Sequence, residues 1–370
     1  VRLFLYFFLF FFCNNISKAQ FLGDEISCEI TRKAIGKIYN FEFDQAKALV
    51  KPVLKKYDQH PASYLLQAQI IYWENYPVEG NKEATERYLQ LLQKCKQAAE
   101  TLLKTGKHQE EATFYLLSSY GSISRIYHYQ KEYIKTVLEA KNAYAYLKEG
   151  FNYSEKNTDF LFTNGLYNYY RIQYPETHPQ IKPIIYFFKS GGKEKGLIHL
   201  RNAGEKALFT KIEAQYYLAN ICLKYENRNA EALTITYKLH NQYPNNPLFL
   251  MRYVEALIAN NQNEKAKVFN EKMAKASSPD QKMAYFVFKG HIDYRTGLFQ
   301  EAENAFLKAL SLNQSGSFTK DLKPMAHLIL GKVYLKENNL TKAKIHINKA
   351  LSEAEYTWVL QEAKELKAKF

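Results

Sequence analysis

Residues 290–310 read GHIDYRTGLFQEAENAFLKAL, and residues 331–351 read GKVYLKENNLTKAKIHINKAL. In the first stretch Gly290 is followed twelve residues on by Ala302, four later by Phe306 and three later again by Ala309. In the second, Gly331, Tyr334, Ala343, Ile347 and Ala350 keep the same phase. Small side chains at helical spacing let a neighbouring backbone approach, and the bulky apolar residues between them fill the remaining space, so the pattern predicts pairs of closely packed antiparallel helices. Working outward from Ala302, Ala266 lies 36 residues earlier, Ala232 another 34 and Gly196 another 36. Forward, Ala343 stands 41 residues on, with SGSFTKDL (315–322) as a short insert. The loop YPNNP at 243–247 carries Pro244 where one helix should stop and the next begin.

The unit resembles the tetratricopeptide repeat, whose period is about 34 residues and whose signature is a Gly, an aromatic three later, then Ala and a bulky residue. Toward the N-terminus the phase persists with substitutions. Ser124, Tyr127, Tyr133, Thr136, Ala140 and Ala143 keep it, as do Phe43, Ala46, Val50 and Val53 ahead of His60 and Pro61. The resemblance implies an all-α fold, an α-solenoid wound as a right-handed superhelix of about eight helix pairs. Helix pairs are expected over 26–57, 62–104, 108–149, 158–207, 211–242, 247–276, 281–312 and 324–353. A last helix from about Glu355 places Tyr356, Val359, Leu360, Ala363 and Leu366 on one stripe, the pattern of a capping helix with a polar outer side. The expected organisation is a signal segment at 1–19, divergent repeats at 20–157, a repeat with a Pro/Gly-rich insert at 158–207, and regular repeats with the cap at 208–370.

Composition agrees with helices. The 370 residues are 46% hydrophobic and 24% charged, a globular balance, with only 15 Gly and 10 Pro; a fold of many short strands needs more turn residues. The net charge of +14 does not by itself indicate nucleic acid. Only 9 of the 51 basic residues are Arg, the residue that reads phosphate and guanine bidentately, and the Lys are dispersed. A diffuse basic field leaves a membrane surface or an acidic polymer open as partners.

Arg2 precedes an unbroken apolar run, Leu3 to Cys13. That run is too short to span a bilayer, which takes about 20 residues, but it matches the core of a secretory signal peptide. Ser17 and Ala19 are small residues three and one positions before an expected cut that leaves Gln20 first. An uncleaved anchor and a wrongly assigned start are the alternatives; a lipoprotein signal would want a small residue where Phe12 precedes Cys13. Export to a bacterial envelope, periplasmic or outer-membrane associated, is the expectation. Beyond the signal remain Cys28, Cys95 and Cys222, too scattered for a disulfide framework or zinc knuckle and read as small core residues.

From Asn164 the chain departs from the repeat: NGLYNYYRIQYPETHPQIKPIIYFFKSGGKEKGLIHLRNA. Pro175, Pro179 and Pro183 argue against a continuous helix, and Gly191–Gly192 marks a break. This order is similar to that of a subfamily of exported bacterial (Bacteroidota-like) repeat proteins, and distantly to eukaryotic repeat proteins associated with the mitochondrial outer membrane. Two readings stand: IKPIIYFF packs over the end of the fourth pair, or the segment forms a lip presenting Tyr167, Tyr169, Tyr170 and Arg171 to a ligand.

No catalytic constellation emerges. SGGKEKGL lacks the Lys-Ser/Thr of a phosphate loop, the nine His form no HExxH, and Ser118–Ser122 lies in a helical pattern where a nucleophile elbow cannot form. The expectation is a protein with no cofactor, no metal and no enzyme activity. In this repeat class the first helix of each pair lines a concave groove, giving Tyr216, Asn220, Arg252, Glu255 and His291 as exposed partner-binding candidates beside Tyr167, Tyr170 and Arg171. Some members hold a peptide carboxylate with a Lys, Asn and Arg clamp. Asn220 and Arg252 match two positions, but Tyr216 stands where the Lys belongs and Phe288 where the final cation belongs. A scaffold or adaptor binding a protein or peptide is therefore expected, with no nucleic acid as partner. The alternative is a glycan or cell-wall polymer binding module, suggested by the 15% aromatic content and the positive charge.

Overall fold

The computed structural model describes residues 20–312 and 317–370. The expected signal segment at 1–19 lies outside the described residues. Among those described there are helices and no strands. Pairs one to four are α1 (Glu25–Tyr39) with α2 (Phe43–Lys56), α3 (Pro61–Glu74) with α4 (Lys82–Lys104), α5 (Gln109–Tyr129) with α6 (Tyr133–Gly150), and α7 (Phe160–Thr177) with α9 (Lys193–Lys206), the short α8 (Lys182–Ile185) lying between the last two. Pairs five to eight are α10 (Lys211–Lys224) with α11 (Asn229–Gln242), α12 (Pro247–Ala259) with α13 (Asn263–Glu271), α14 (Pro279–Arg295) with α15 (Phe299–Ser311), and α16 (Ser317–Lys336) with α17 (Leu340–Glu353). Helix α18 (Thr357–Lys367) closes the stack. The chain is an α-solenoid of helix pairs. No described helix is long and apolar enough to cross a membrane.

The small residues do what their spacing requires. Ala232, Ala266, Ala302, Ala309, Ala343 and Ala350 are completely buried. A Cβ built on Gly290 would stand 2.9 Å from Phe306, and one on Gly331 would stand 2.6 Å from Ile347. Five of the turns within pairs share one device. Phe41, Lys131, Asn261, Gly297 and Asn338 adopt left-handed backbone. The next amide then reaches back to a carbonyl five residues earlier, as from Gln262 to Leu257 and from Asn339 to Tyr334. This Schellman closure satisfies the last carbonyls of the first helix and reverses the chain.

Three expectations need correction. Helix α7 continues through Pro175 to Thr177, because a proline in the last turn costs one amide bond rather than a helix. The aromatic end of IKPIIYFF is not buried over the fourth pair: Tyr186 is 83% and Phe187 85% exposed, and Phe188 alone of the three rests on Tyr144, with centroids 4.9 Å apart. At the C-terminal end, part of the expected insert at 315–322 belongs to α16, which starts at Ser317 and holds Pro324 in its interior.

Curvature brings distant pairs together. Asn246 caps α12 by accepting from the amides of Leu248 (3.0 Å) and Phe249 (3.4 Å), while its Nδ2 donates to the Tyr39 carbonyl at 2.8 Å. The Asn245 amide donates to Asn40 Oδ1 at 3.2 Å, Tyr39 stacks on Phe249 at 6.2 Å, and Phe21 meets Phe209 at 6.1 Å. The first pair thus closes against the fifth and sixth.

The N-terminal end is held by Glu111 near the start of α5. Its carboxylate accepts from the amides of Phe21 (3.2 Å) and Leu22 (2.8 Å), and His60 Nε2 stands 3.6 Å away. Burial raises its pKa to about 7 against the pull of those two amides. A carboxyl raised in the folded state is deprotonated first in the unfolded chain, so its contribution to stability falls as pH rises between about 4.5 and 7. Between pH 5 and 7.5 the wild type should lose stability relative to Glu111→Gln by about 2 kcal/mol, read from paired urea titrations.

Candidate functional site

The first helices of the pairs face inward. Helix α3 sends Tyr72 and Trp73 into the interior and the turn after it Tyr76, α5 sends Arg125 and Tyr129, and α10 sends Glu213, Tyr216 and Tyr217. In α10, Glu213 and Tyr217 stand four apart and so share a face. Two adjoining hollows of about 340 and 590 Å³ share Tyr72, Trp73, Arg125, Glu213 and Tyr217 in their walls. Trp73 and Tyr76 stack at 5.2 Å with an 18° interplanar angle. The Arg125 guanidinium lies 4.6 Å from the centre of the Tyr72 ring.

Arg125 is exposed to this chamber and makes no ion pair among the described residues. Glu213 shares the chamber; burial raises its pKa, opposed by the Tyr39 hydroxyl and by Arg125. Burial likewise pushes Tyr217 up to about 12. The chamber therefore offers ring faces, the Arg125 guanidinium and the side chains of Glu79, Glu213 and Asp280, a set suited to a segment with apolar surface and polar groups, any acidic group meeting Arg125.

The C-terminal half of the interior is filled differently. Arg252 Nη1 donates to Glu255 Oε2 at 2.7 Å and to the Tyr356 hydroxyl at 2.9 Å, and that hydroxyl donates to Glu255 Oε1 at 2.6 Å. Lys224 Nζ reaches Asp321 and Glu355, each at 2.9 Å. Burial works against the Arg252 cation, but Tyr356 and Glu255 hold its pKa well above the ordinary value. Burial also works against Glu355, and Lys224 and Lys320 hold its carboxyl below the usual range.

The expectation that Arg252, Glu255 and His291 are exposed is corrected: they are only 4%, 6% and 8% exposed, because the closed superhelix and the junction before α18 cover them. His291 is neutral, its pKa lowered to about 3 by burial and by Arg295 and Lys332. Tyr216 does meet Arg252, whose guanidinium lies 5.7 Å from its ring centre. Asn220, half-buried on α10, has a buried Oδ1 with no hydrogen-bond partner. The α7 candidates separate. Tyr170 turns toward Tyr225, at 6.1 Å. Tyr167 donates to the Lys189 carbonyl at 2.5 Å and packs on Phe151, and Arg171 lies against Gly191, so both serve the insert. Tyr169 is buried and donates to Glu226 at 2.5 Å.

Sequence reasoning missed the Arg125 chamber and the Tyr356 network. A solitary Arg within SISRIYHY and the i, i+4 pair Tyr72–Tyr76 were the available signals; which helices curl together to make a chamber of them was not written locally.

No protein-family profile matches the chain, and no curated protein matches it. Among solved structures, NprR in complex with its cognate peptide NprX aligns over 81% of this chain and 82% of that one, at 17% identity and a TM-score of 0.52. The fold is a tetratricopeptide-type α-solenoid. Yeast Tom70 aligns with 84% of this solenoid and 64% of its own chain, at 15% identity and a TM-score of 0.39. A tetratricopeptide repeat protein from Parabacteroides merdae covers 81% of this solenoid and 99% of its own chain, at 16% identity and a TM-score of 0.33. At these identities the likeness is one of fold.

Proposed function

We propose that this solenoid is an exported, non-enzymatic scaffold that holds an extended segment of a partner protein in the Arg125 chamber. The observation that carries the reading is a guanidinium that makes no ion pair among the described residues, exposed inside a chamber walled by Tyr72, Trp73, Tyr76 and Tyr217. The walls are built by packed helices, so little conformational freedom is lost on docking. NprR, of similar fold, is seen with a peptide bound, which favours a peptide over other occupants. Export is supported by the apolar run Leu3–Cys13 and by packing that reaches to within one residue of the expected cut: Phe21 is completely buried, and its amide is held by Glu111.

The test is capture from envelope extract. Wild-type protein should retain a specific protein partner. Arg125→Ala should weaken that partner's affinity at least about tenfold while leaving the circular dichroism unchanged, since the lost group is a charge-assisted, desolvated contact. No partner at any salt concentration, or equal retention by the variant, would contradict the reading. Retention on polysaccharide gels that is lost in Tyr76→Ala would favour the glycan alternative, for which the half-buried Tyr76 ring at the chamber wall is the supporting feature.

A further inference from the structure

Three residues join α17 to α18, and they do not run over the surface. Ala354 and Tyr356 have extended backbone, with ψ of 137° and 126°. Tyr356 is inserted between α10 and α12, buried to 1% exposure. Its hydroxyl bonds both Arg252 and Glu255, more than a hundred residues earlier in the chain. Glu355 is held by Lys224 at 2.9 Å and Lys320 at 3.3 Å, and the Tyr225 hydroxyl donates to it at 3.4 Å. Thr357 Oγ1 donates to the Tyr225 carbonyl at 3.1 Å, and Trp358 lies 6.0 Å from His291. Acid, aromatic hydroxyl, hydroxyl and indole in succession each meet a partner on the inner wall.

A linker between two helices requires only a turn. This one instead makes contacts of the kind a bound segment makes on a concave helical face: the Glu355 carboxylate paired, the Tyr356 ring sunk, and the backbone extended as far as Tyr356, where α18 begins. The wall is also larger than the segment that covers it. A hollow of about 250 Å³ remains beside Tyr356 and Trp358, lined further by Phe288, His291, Arg295 and Met325.

We propose that the inner wall of α10, α12 and α14 is a binding site for an extended segment in which an acidic residue precedes a tyrosine, and that Glu355–Trp358 occupies it in cis. The proposal deepens the scaffold reading and places a second, self-occupied compartment beside the Arg125 chamber. A partner segment of the same chemistry competes with the cis segment and releases α18. Because a tethered segment acts at an effective concentration of about millimolar, the closed form resists weak competitors.

The probe is a labelled synthetic peptide of residues 353–359, EAEYTWV, tested by fluorescence anisotropy against the full chain. Tyr356→Ala protein, whose own segment is weakened, should bind it at least tenfold more tightly than wild type. Peptides carrying Glu→Gln or Tyr→Phe at the positions of Glu355 and Tyr356 should lose at least tenfold. Equal affinity of folded Tyr356→Ala and wild type, or equal binding of a scrambled peptide, overturns the proposal. Should Tyr356→Ala fail to fold, hydrogen exchange on wild type decides. With millimolar peptide the α18 amides should exchange faster; unchanged exchange makes the junction structural only. Arg125→Ala should leave peptide binding unaltered, so failure of partner capture and failure of this proposal are read separately.

Discussion

Gly196→Ala should cost about 3 kcal/mol, among the largest losses available to a single methyl group in this chain. Helices α7 and α9 cross with their backbones in contact. A Cβ on Gly196 would stand 2.7 Å from the Tyr169 amide nitrogen and 2.8 Å from the Gly165 carbonyl oxygen. Both are backbone atoms, and neither can rotate away as a side chain would. The helices must separate, and Leu197, Leu200 and Tyr169, all completely buried at that crossing, then lose contact together. Gly121 is the control. Its Cβ would meet nothing within 4 Å, so Gly121→Ala in the middle of α5 should stabilise by up to about 1 kcal/mol through helix propensity. Thermal and urea unfolding of the two variants should therefore move in opposite directions. A neutral Gly196→Ala would mean that the fourth pair is not packed as described.

Asp159→Ala should cost a similar amount, about 3 kcal/mol, for an electrostatic reason. Asp159 precedes α7, where it reads as an ordinary N-cap, yet its carboxylate makes no bond to its own helix. It turns instead to the chain entering α10 and accepts from the amides of Leu208 (3.3 Å), Phe209 (2.8 Å) and Thr210 (2.8 Å) and from the Thr210 hydroxyl (2.9 Å). Alanine leaves those donors buried and unpaired. Asparagine keeps Oδ1, which carries all but the longest of these bonds, and drops a charge whose burial is costly enough to raise its pKa. Asp159→Asn should therefore lose only about 1 kcal/mol. Equal losses for the two variants would show that charge, not hydrogen-bond acceptance, holds the junction.

The helix pairs were legible because neighbour packing is written locally. Ala232, Ala266, Ala302 and Ala343 mark one crossing after another, and the left-handed turn residue stands five positions before each of them, at Asn227, Asn261, Gly297 and Asn338. The interior was not legible. Which inner-face residues end up exposed depends on small rotations between pairs that add up along the array, and no single repeat records the sum. Arg252 and His291 sit on the face the repeat assigns to them, but that face is closed by α18 and its junction. Arg125 sits on the equivalent face of an earlier pair, where the chamber stays open. Asp159 shows the same limit at short range: it stands at the start of α7, and nothing local in the sequence says that it serves the entry to α10. The insert misled for another reason. IKPIIYFF is apolar enough to predict burial, yet Tyr186 and Phe187 stay exposed, while α7 and α9 pack directly on each other at Gly165 and Gly196.

The stack curls until its first pair meets the loop before α12. Asn40 and Asn245, 205 residues apart in sequence, are joined by a 3.2 Å hydrogen bond, and neither is buried. In a Cys28→Ser background, cysteines placed at both positions should be bridged within one molecule by a short dithiol-reactive cross-linker, with helicity unchanged. An open solenoid holds these positions tens of ångströms apart, so a folded protein that yields no intramolecular bridge would contradict the closed interior and both compartments built on it.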